Sequence, residues 1–180
     1  MPIKKVEKIF DLLLIEWERF YDDRGFFEEI MKKSELKKIG IEEEFVQANI
    51  SFSKKGTIRG LHYQLPPYEQ SKLIVVIKGK IYDVAVDIRK SSKNFGKFYY
   101  FELSEEKPIA LWIPKGYAHG FQALEDTILL YFVTKEYNKE FDRSINPFDK
   151  NIGIQWPLEN YIISEKDKNA PSLNNAEVFE

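Results

Sequence analysis

The chain has two histidines, and each sits in a glycine-containing segment: Arg59-Gly60-Leu61-His62-Tyr63-Gln64 and Ile113-Pro114-Lys115-Gly116-Tyr117-Ala118-His119-Gly120-Phe121. Imidazole is the side chain best suited to take up a proton near neutral pH. Either histidine alone would ordinarily be a hydrogen-bonded core or loop residue, but the glycine-flanked settings of both favour a site. Arginine is also scarce, with five against 22 lysines, so its positions are informative. A guanidinium offers a planar fork that grips a diphosphate in a way an ammonium cannot. Arg24 and Arg59 each precede a glycine and are the candidates for that contact. The chemistry suggested is proton transfer beside an anionic ligand.

Six ordered segments extend the pattern: Asp23-Arg24-Gly25-Phe26-Phe27-Glu28-Glu29, Phe45-Val46-Gln47-Ala48-Asn49, the His62 segment continuing through Leu65-Pro66-Pro67, Asp83-Val84-Ala85-Val86-Asp87-Ile88-Arg89, the His119 segment, and Ser164-Glu165-Lys166-Asp167. In that order and at those intervals the chain resembles the dTDP-4-dehydrorhamnose 3,5-epimerases over nearly its whole length. The resemblance implies a jelly-roll (cupin) fold, a homodimer, and epimerisation at C3 and C5 of a 4-keto-6-deoxy sugar carried on dTDP, with no cofactor. It also implies roles: His62 as base, Asp167 as the carboxylate orienting its ring, Lys72 facing the developing oxyanion, and Tyr131 as the acid across the sugar. Arg24, Glu29, Gln47, Asn49, Arg59, His119, Asp142 and Lys166 match substrate-contacting positions, and Tyr137 matches an aromatic beside the base. Three departures bear on base recognition and substrate identity: Ala48 stands where an Asp is usual, Asp142 where a Glu is usual, and the loop carrying Tyr131 is one residue shorter.

The chemistry itself is independent of that likeness. Hydrogens on carbons flanking a ketone leave as protons when a base removes them and the nascent enolate oxygen is stabilised. Inversion then needs a proton delivered from the other face. A neutral imidazole, a buried carboxylate, an ammonium and a phenol suit these four tasks. Metal-binding cupins resemble one another in a His-x-His pair, a following Glu and a later His. Here the pair reads His62-Tyr63-Gln64, with Glu69 and His119 following, so Gln64 occupies a ligand position and no catalytic metal is expected. A metal-dependent cupin oxygenase is thereby disfavoured. A single-centre epimerase or ketoisomerase stays open, and so does a sugar-nucleotide-binding jelly roll that catalyses nothing.

The elements that must position these residues read as β-structure. Twenty Ile, eight Val and 27 aromatic residues gather in runs such as Phe45 to Ser53, Thr57 to Gln64, Lys72 to Ile77, Lys80 to Ile88, Lys97 to Leu103 and Thr127 to Thr134. That spacing predicts an all-β, antiparallel sandwich or barrel with one or two short helices, one of them at Glu35 to Ile39, capped by Ser34 and ended by Gly40. At 180 residues a single domain spanning 1–180 is expected. Alternation puts Gln47 and Asn49 on one face, and Val46, Ala48, Ile50 and Phe52 on the other. Lys72 shares its face with Ile74 and Val76, and Tyr131 shares its face with Leu129 and Val133, so both can project polar tips into an apolar interior. Arg59 and His62 fall on opposite faces unless Gly60 sits in a bulge that resets the alternation. The polar stretch after Trp156 is expected to wrap the outside. A net charge of −2 supplies no basic excess for nucleic acid. No apolar run approaches ~20 residues and no signal-peptide pattern is present, so a soluble, cytoplasmic protein that engages no membrane is expected. The absence of cysteine rules out disulfides and thiolate ligands.

Overall fold

The computed structural model describes residues 2–180. Its strands are β1 (Ile3–Ile9), β2 (Leu12–Trp17), β3 (Arg19–Asp22), β4 (Gly25–Glu28), β5 (Gln47–Ser53), β6 (Thr57–Gln64), β7 (Lys72–Lys78), β8 (Lys80–Asp87), β9 (Phe98–Ser104), β10 (Ile109–Ile113), β11 (Tyr117–Ala123), β12 (Thr127–Val133), β13 (Asp142–Ser144) and β14 (Ile162–Ile163). The helices are α1 (Lys33–Lys38) and α2 (Glu165–Lys168). One sheet runs β1-β2-β10-β7-β12-β5 and the other β13-β6-β11-β8-β9, while β3 and β4 pair only with each other. Pairing is antiparallel except where β14 joins β6. This is the all-β, antiparallel two-sheet arrangement that the strand spacing predicts, and it agrees with the jelly roll that the resemblance implies.

The alternation of each strand decides where its side chains go. On β7, Ile74 and Val76 enter the core between the two sheets, where they meet Ile81, Ala85 and Phe121 of the opposite sheet. Leu73 and Val75 point outward and pack with Trp112, Leu36 and Ile41 under α1. Lys72 falls on the inward side of that alternation, and Tyr131 packs against the inner core beside Leu129. Two polar tips thus enter the space between the sheets, as strand parity requires.

The outer face of the second sheet is closed by the C-terminal stretch. Trp156, Leu173, Val178 and Phe179 cover Tyr63, Tyr82, Val84 and Val86 there. The same stretch returns inward at α2, whose first turn is capped by Ser164, with its hydroxyl accepting from the Asp167 N–H.

Two expectations need correction. Ser34 is not the cap of α1. The N-cap is Lys32, which makes no side-chain cap bond, and the helix covers Lys33–Lys38. Burial of Leu36 and Ile41 against the outer core sets the helix register instead, while Gly40, at φ +87°, does end it. The run starting at Phe45 begins as a strand only at Gln47, and Phe45 packs edge-on against Trp112 and tilted against Phe132 in the outer cluster.

Candidate active site

The His62 strand contains the distortion that alternation demanded. On the β6–β11 ladder His62 pairs with His119 and Arg59 with Phe121, so three steps on β6 match two on β11. The extra residue is a bulge at Gly60. Gly60 has φ +116°, and a Cβ there would lie 2.6 Å from both the Gly120 Cα and the His119 carbonyl oxygen. Only glycine fits this crossing. The consequence is that Arg59 and His62 line the same space although they are three residues apart.

That space lies between the two sheets. A cavity of about 410 Å³ is lined by His62 and Gln64 from β6, Lys72 from β7, Tyr131 from β12, and Gln47 and Asn49 from β5, with Tyr137, Asp142 and Lys166 at its edge. An adjoining space of about 230 Å³ shares His62, Lys72 and Tyr131 and adds Arg59 and His119. A third, of about 430 Å³, runs past Arg59 and His62 to Lys166 and Asp167. The imidazole therefore comes from one sheet, and the ammonium and phenol from the facing sheet.

His62 Nε2 lies 2.6 Å from Asp167 Oδ1, and the other carboxylate oxygen accepts the Gly60 N–H at 3.1 Å. Asp167 is only 3% exposed. Burial pushes its carboxyl up, but the His62 hydrogen bond and charge and the Gly60 amide outweigh this and hold it below the usual carboxylate range. An ionised carboxylate only accepts, so the imidazole proton resides on Nε2 and Nδ1 is left as the basic nitrogen. The second histidine is arranged alike: His119 Nε2 lies 2.8 Å from Asp83 Oδ2, on a carboxylate with no exposed surface. The other Asp83 oxygen has no hydrogen-bond partner among the described residues.

Lys72 is buried and donates to the His62 carbonyl at 3.3 Å. Desolvation lowers its ammonium to about 8, against the opposing pull of Asp142 and Asp83. Burial raises the Tyr131 phenol, and nearby Arg59 counters in part. Arg59 donates to the Ser53 hydroxyl and the Phe52 carbonyl, and no carboxylate pairs with it among the described residues. Lys166 donates to Asp142 Oδ2 at 2.5 Å across the rim, and Tyr137 Oη lies 3.5 Å from the same oxygen.

The structure thus brings together His62, Asp167, Lys72, Tyr131, Gln47, Asn49, Arg59, His119, Tyr137, Asp142 and Lys166. It does not bring Arg24 and Glu29 to them. Both belong to the β3–β4 hairpin region, where Arg24 is exposed and bonds Asp22, and Glu29 lies near Lys32. Among the described residues the hairpin strands pair only with each other, and neither Arg24 nor Glu29 lines the three spaces. Ala48 sits, where alternation puts it, on the exposed face of β5, away from the cavity. Asp83 was missed as a site residue, and inward parity with the buried Ile81 and Ala85 on β8 is the signal that could have found it.

His62 and His119 are cross-strand partners, but each Nε2 is engaged by a carboxylate and Glu69 lies near Lys115 instead. Among the described residues no group of three or more His, Asp or Glu converges as metal ligands would.

The model of the family described as dTDP-4-dehydrorhamnose 3,5-epimerase matches residues 7–175. The chain belongs to this family. It is 45% identical to the dTDP-4-dehydrorhamnose 3,5-epimerase of Shigella flexneri, with 99% of each chain covered. The crystal structure of the enzyme of that name from Sulfolobus tokodaii aligns at TM-score 0.94 and 49% identity over 100% of both chains. A Legionella pneumophila relative, solved in complex with dTDP-4-keto-L-rhamnose, aligns at TM-score 0.91 and 41% identity over 95% of this chain and 93% of its own. No helix among the described residues of this epimerase-family chain is long and apolar enough to cross a membrane.

Proposed function

We infer that the protein epimerises C3 and C5 of dTDP-4-keto-6-deoxy-D-glucose, giving dTDP-4-keto-L-rhamnose, in the cytoplasm. Support for its mechanism comes from one arrangement: His62 and Tyr131 approach a common cavity from facing sheets, with the Lys72 ammonium in the same space. A sugar ring held there has a base on one face and an acid on the other.

The steps follow from the groups. Nδ1 of His62, left unprotonated by the Asp167 contact, removes the proton from a carbon next to the ketone, and the electron pair moves into the C–C bond as the carbonyl becomes an enolate. Lys72, itself buried, supplies positive charge to that oxygen, and its charge is worth more there than at the surface. The Tyr131 hydroxyl returns a proton to the opposite face, which inverts the centre, and solvent resets both groups. Repetition at the second flanking carbon completes the reaction. Arg59, paired with no carboxylate among the described residues, holds the diphosphate.

The functional unit of this reading is a homodimer. Phe20, Tyr21, Phe26 and Phe27 of the hairpin are 48–71% exposed, and Ile50 and Phe52 of edge strand β5, with Val46 just before it, are 53–70% exposed. So much uncovered apolar surface suits burial against a second copy. The same pairing gives Arg24 and Glu29 a use, at the mouth of the partner's cavity.

The test is incubation with the keto sugar nucleotide in D2O, with NMR readout at C3 and C5. Wild type incorporates deuterium at both carbons and His62→Ala at neither. Uptake at one carbon only would convert the reading to a single-centre epimerase, and no uptake would refute it. Tyr131→Phe slows net inversion more than wash-out of the first proton.

A further inference from the structure

Four consecutive residues at the rim of the cavity, Lys135 to Asn138, have backbone groups held by glutamine side chains from three separate places in the fold. Gln70 Nε2 donates to the Lys135 carbonyl at 2.7 Å. Gln64 Nε2 donates to the Glu136 carbonyl at 3.2 Å and to the Tyr68 carbonyl at 2.7 Å, while its Oε1 accepts the Asn138 N–H at 2.7 Å. Gln47 Oε1 accepts the Tyr137 N–H at 2.9 Å. All three glutamines line the same cavity.

The bonds to the Lys135 carbonyl and the Tyr137 N–H are exposed, so water could serve those two groups. The clamp therefore does more than satisfy buried polar atoms. Its effect is to fix an irregular loop whose ordering otherwise costs about 1–2 kcal/mol per residue in backbone entropy. Gln64 is only 3% exposed, whereas Tyr137, which the clamp brackets, is 56% exposed and lines the cavity. A glutamine side chain suits the task because it carries two donors and an acceptor, and so can hold the carbonyl before Tyr137 and the N–H after it at once. The position that departs from the metal-cupin pattern thus has a task of its own.

We propose that Gln64, aided by Gln70 and Gln47, is a positioning residue that pre-organises the Tyr137 ring as a stacking platform for the planar base of the nucleotide substrate. This rests on the epimerase reading above. Pre-organisation acts on binding, so losses fall mainly on KM and not on kcat.

The test uses the full-length protein and dTDP alone as the probe. Titration calorimetry gives its Kd for wild type, Gln64→Met, Tyr137→Ala and the double variant, and amide hydrogen exchange reports on Asn138. Gln64→Met is expected to speed Asn138 exchange and to weaken dTDP roughly tenfold, the scale of one base–aromatic stack. In the Tyr137→Ala background the same change should cost less than about twofold, because the platform it serves is gone. Should Gln64→Met fail to fold, Gln70→Met removes only the Lys135 contact, with about a two- to threefold weakening expected that also vanishes with Tyr137. Unchanged Asn138 exchange, an equal loss of affinity in the Tyr137→Ala background, or a loss in kcat alone would overturn the clamp. Tyr137→Ala binding dTDP as well as wild type would overturn the platform, while deuterium uptake at C3 and C5 would still uphold the epimerase reading.

Discussion

Replacing Asp167 by Asn separates the shape of the His62–Asp167 pair from its charge. Two donors converge on this carboxylate, the Gly60 N–H at 3.1 Å and the His62 Nε2–H at 2.6 Å, one on each oxygen. Asparagine offers only one acceptor oxygen, so its amide group must oppose one of the two donors. The Gly60 amide cannot change its proton, whereas the imidazole can. The ring therefore moves its proton to Nδ1, the nitrogen needed as base. Losing a charge-assisted hydrogen bond costs about 1.5–3 kcal/mol and opposing buried donors about 1–3, so a combined ~3–4 kcal/mol, or roughly 10²–10³ in kcat, is expected. Relief by solvent is limited because Asp167 is only 3% exposed, although the His62 side chain, at 36%, can still meet water. The assay is the initial rate of deuterium wash-in at C3 and C5 at pH 7 and saturating substrate. A rate within tenfold of wild type would refute the assignment of Asp167 as the group that sets the His62 tautomer.

Other consequences are open to measurement. Burial brings the Lys72 ammonium from 10.5 to about 8, so kcat/KM should fall as pH rises through about 8 while Lys72 loses its charge; a plateau extending to pH 10 would contradict its role at the oxyanion. Because the folded value lies below the unfolded one, Lys72 detracts from stability below pH 8 and the deficit disappears between 8 and 10.5. Lys72→Met should therefore raise stability at pH 7 by something on the order of 3 kcal/mol while abolishing turnover, as read by denaturant titration. Gly60→Ala places a Cβ 2.6 Å from backbone atoms of His119 and Gly120 at φ +116° and should cost about 3 kcal/mol or more, with activity lost alongside; a neutral unfolding midpoint would show the bulge to be dispensable. If Arg24 serves the partner's cavity, mixing inactive His62→Ala and Arg24→Ala chains should restore activity, since one site of each mixed dimer carries neither change. No recovery, with mixed dimers demonstrated, would return Arg24 to its own chain or to no role.

Of the residues gathered at the cavity, His62 was legible as one of two histidines, set in a glycine-containing segment, and strand parity sends Lys72 and Tyr131 inward, whereas the roles of Lys72, Tyr131 and Asp167 came from the family resemblance. Gln47 and Asn49 were readable in the same way, on the face opposite Val46, Ile50 and Phe52. The N-terminal strands β1 to β4 carried a weaker signal, since β1 mixes three lysines and a glutamate into seven residues and stands mostly exposed. Strand β11 is bounded and interrupted by Gly116 and Gly120, which mask a strand that is buried along its whole length. The glutamine clamp had no signature at all: Gln47, Gln64 and Gln70 meet residues 135–138 only across distant chain positions.

What the amino-acid order settles here is local and periodic: which runs extend, which side of each strand is apolar, and which residues have the chemistry to move a proton. Whether Arg59 joins His62 depended on a bulge whose presence follows from the close crossing of Gly60 and Gly120, a contact between strands that no local rule contains. The absence of Arg24 from its own cavity was likewise decided in three dimensions, by a hairpin that pairs with nothing but itself. The division has a physical cause. Backbone dihedrals and alternation act over a few residues, whereas a catalytic space is defined by distances between elements, and those are set by how two sheets pack.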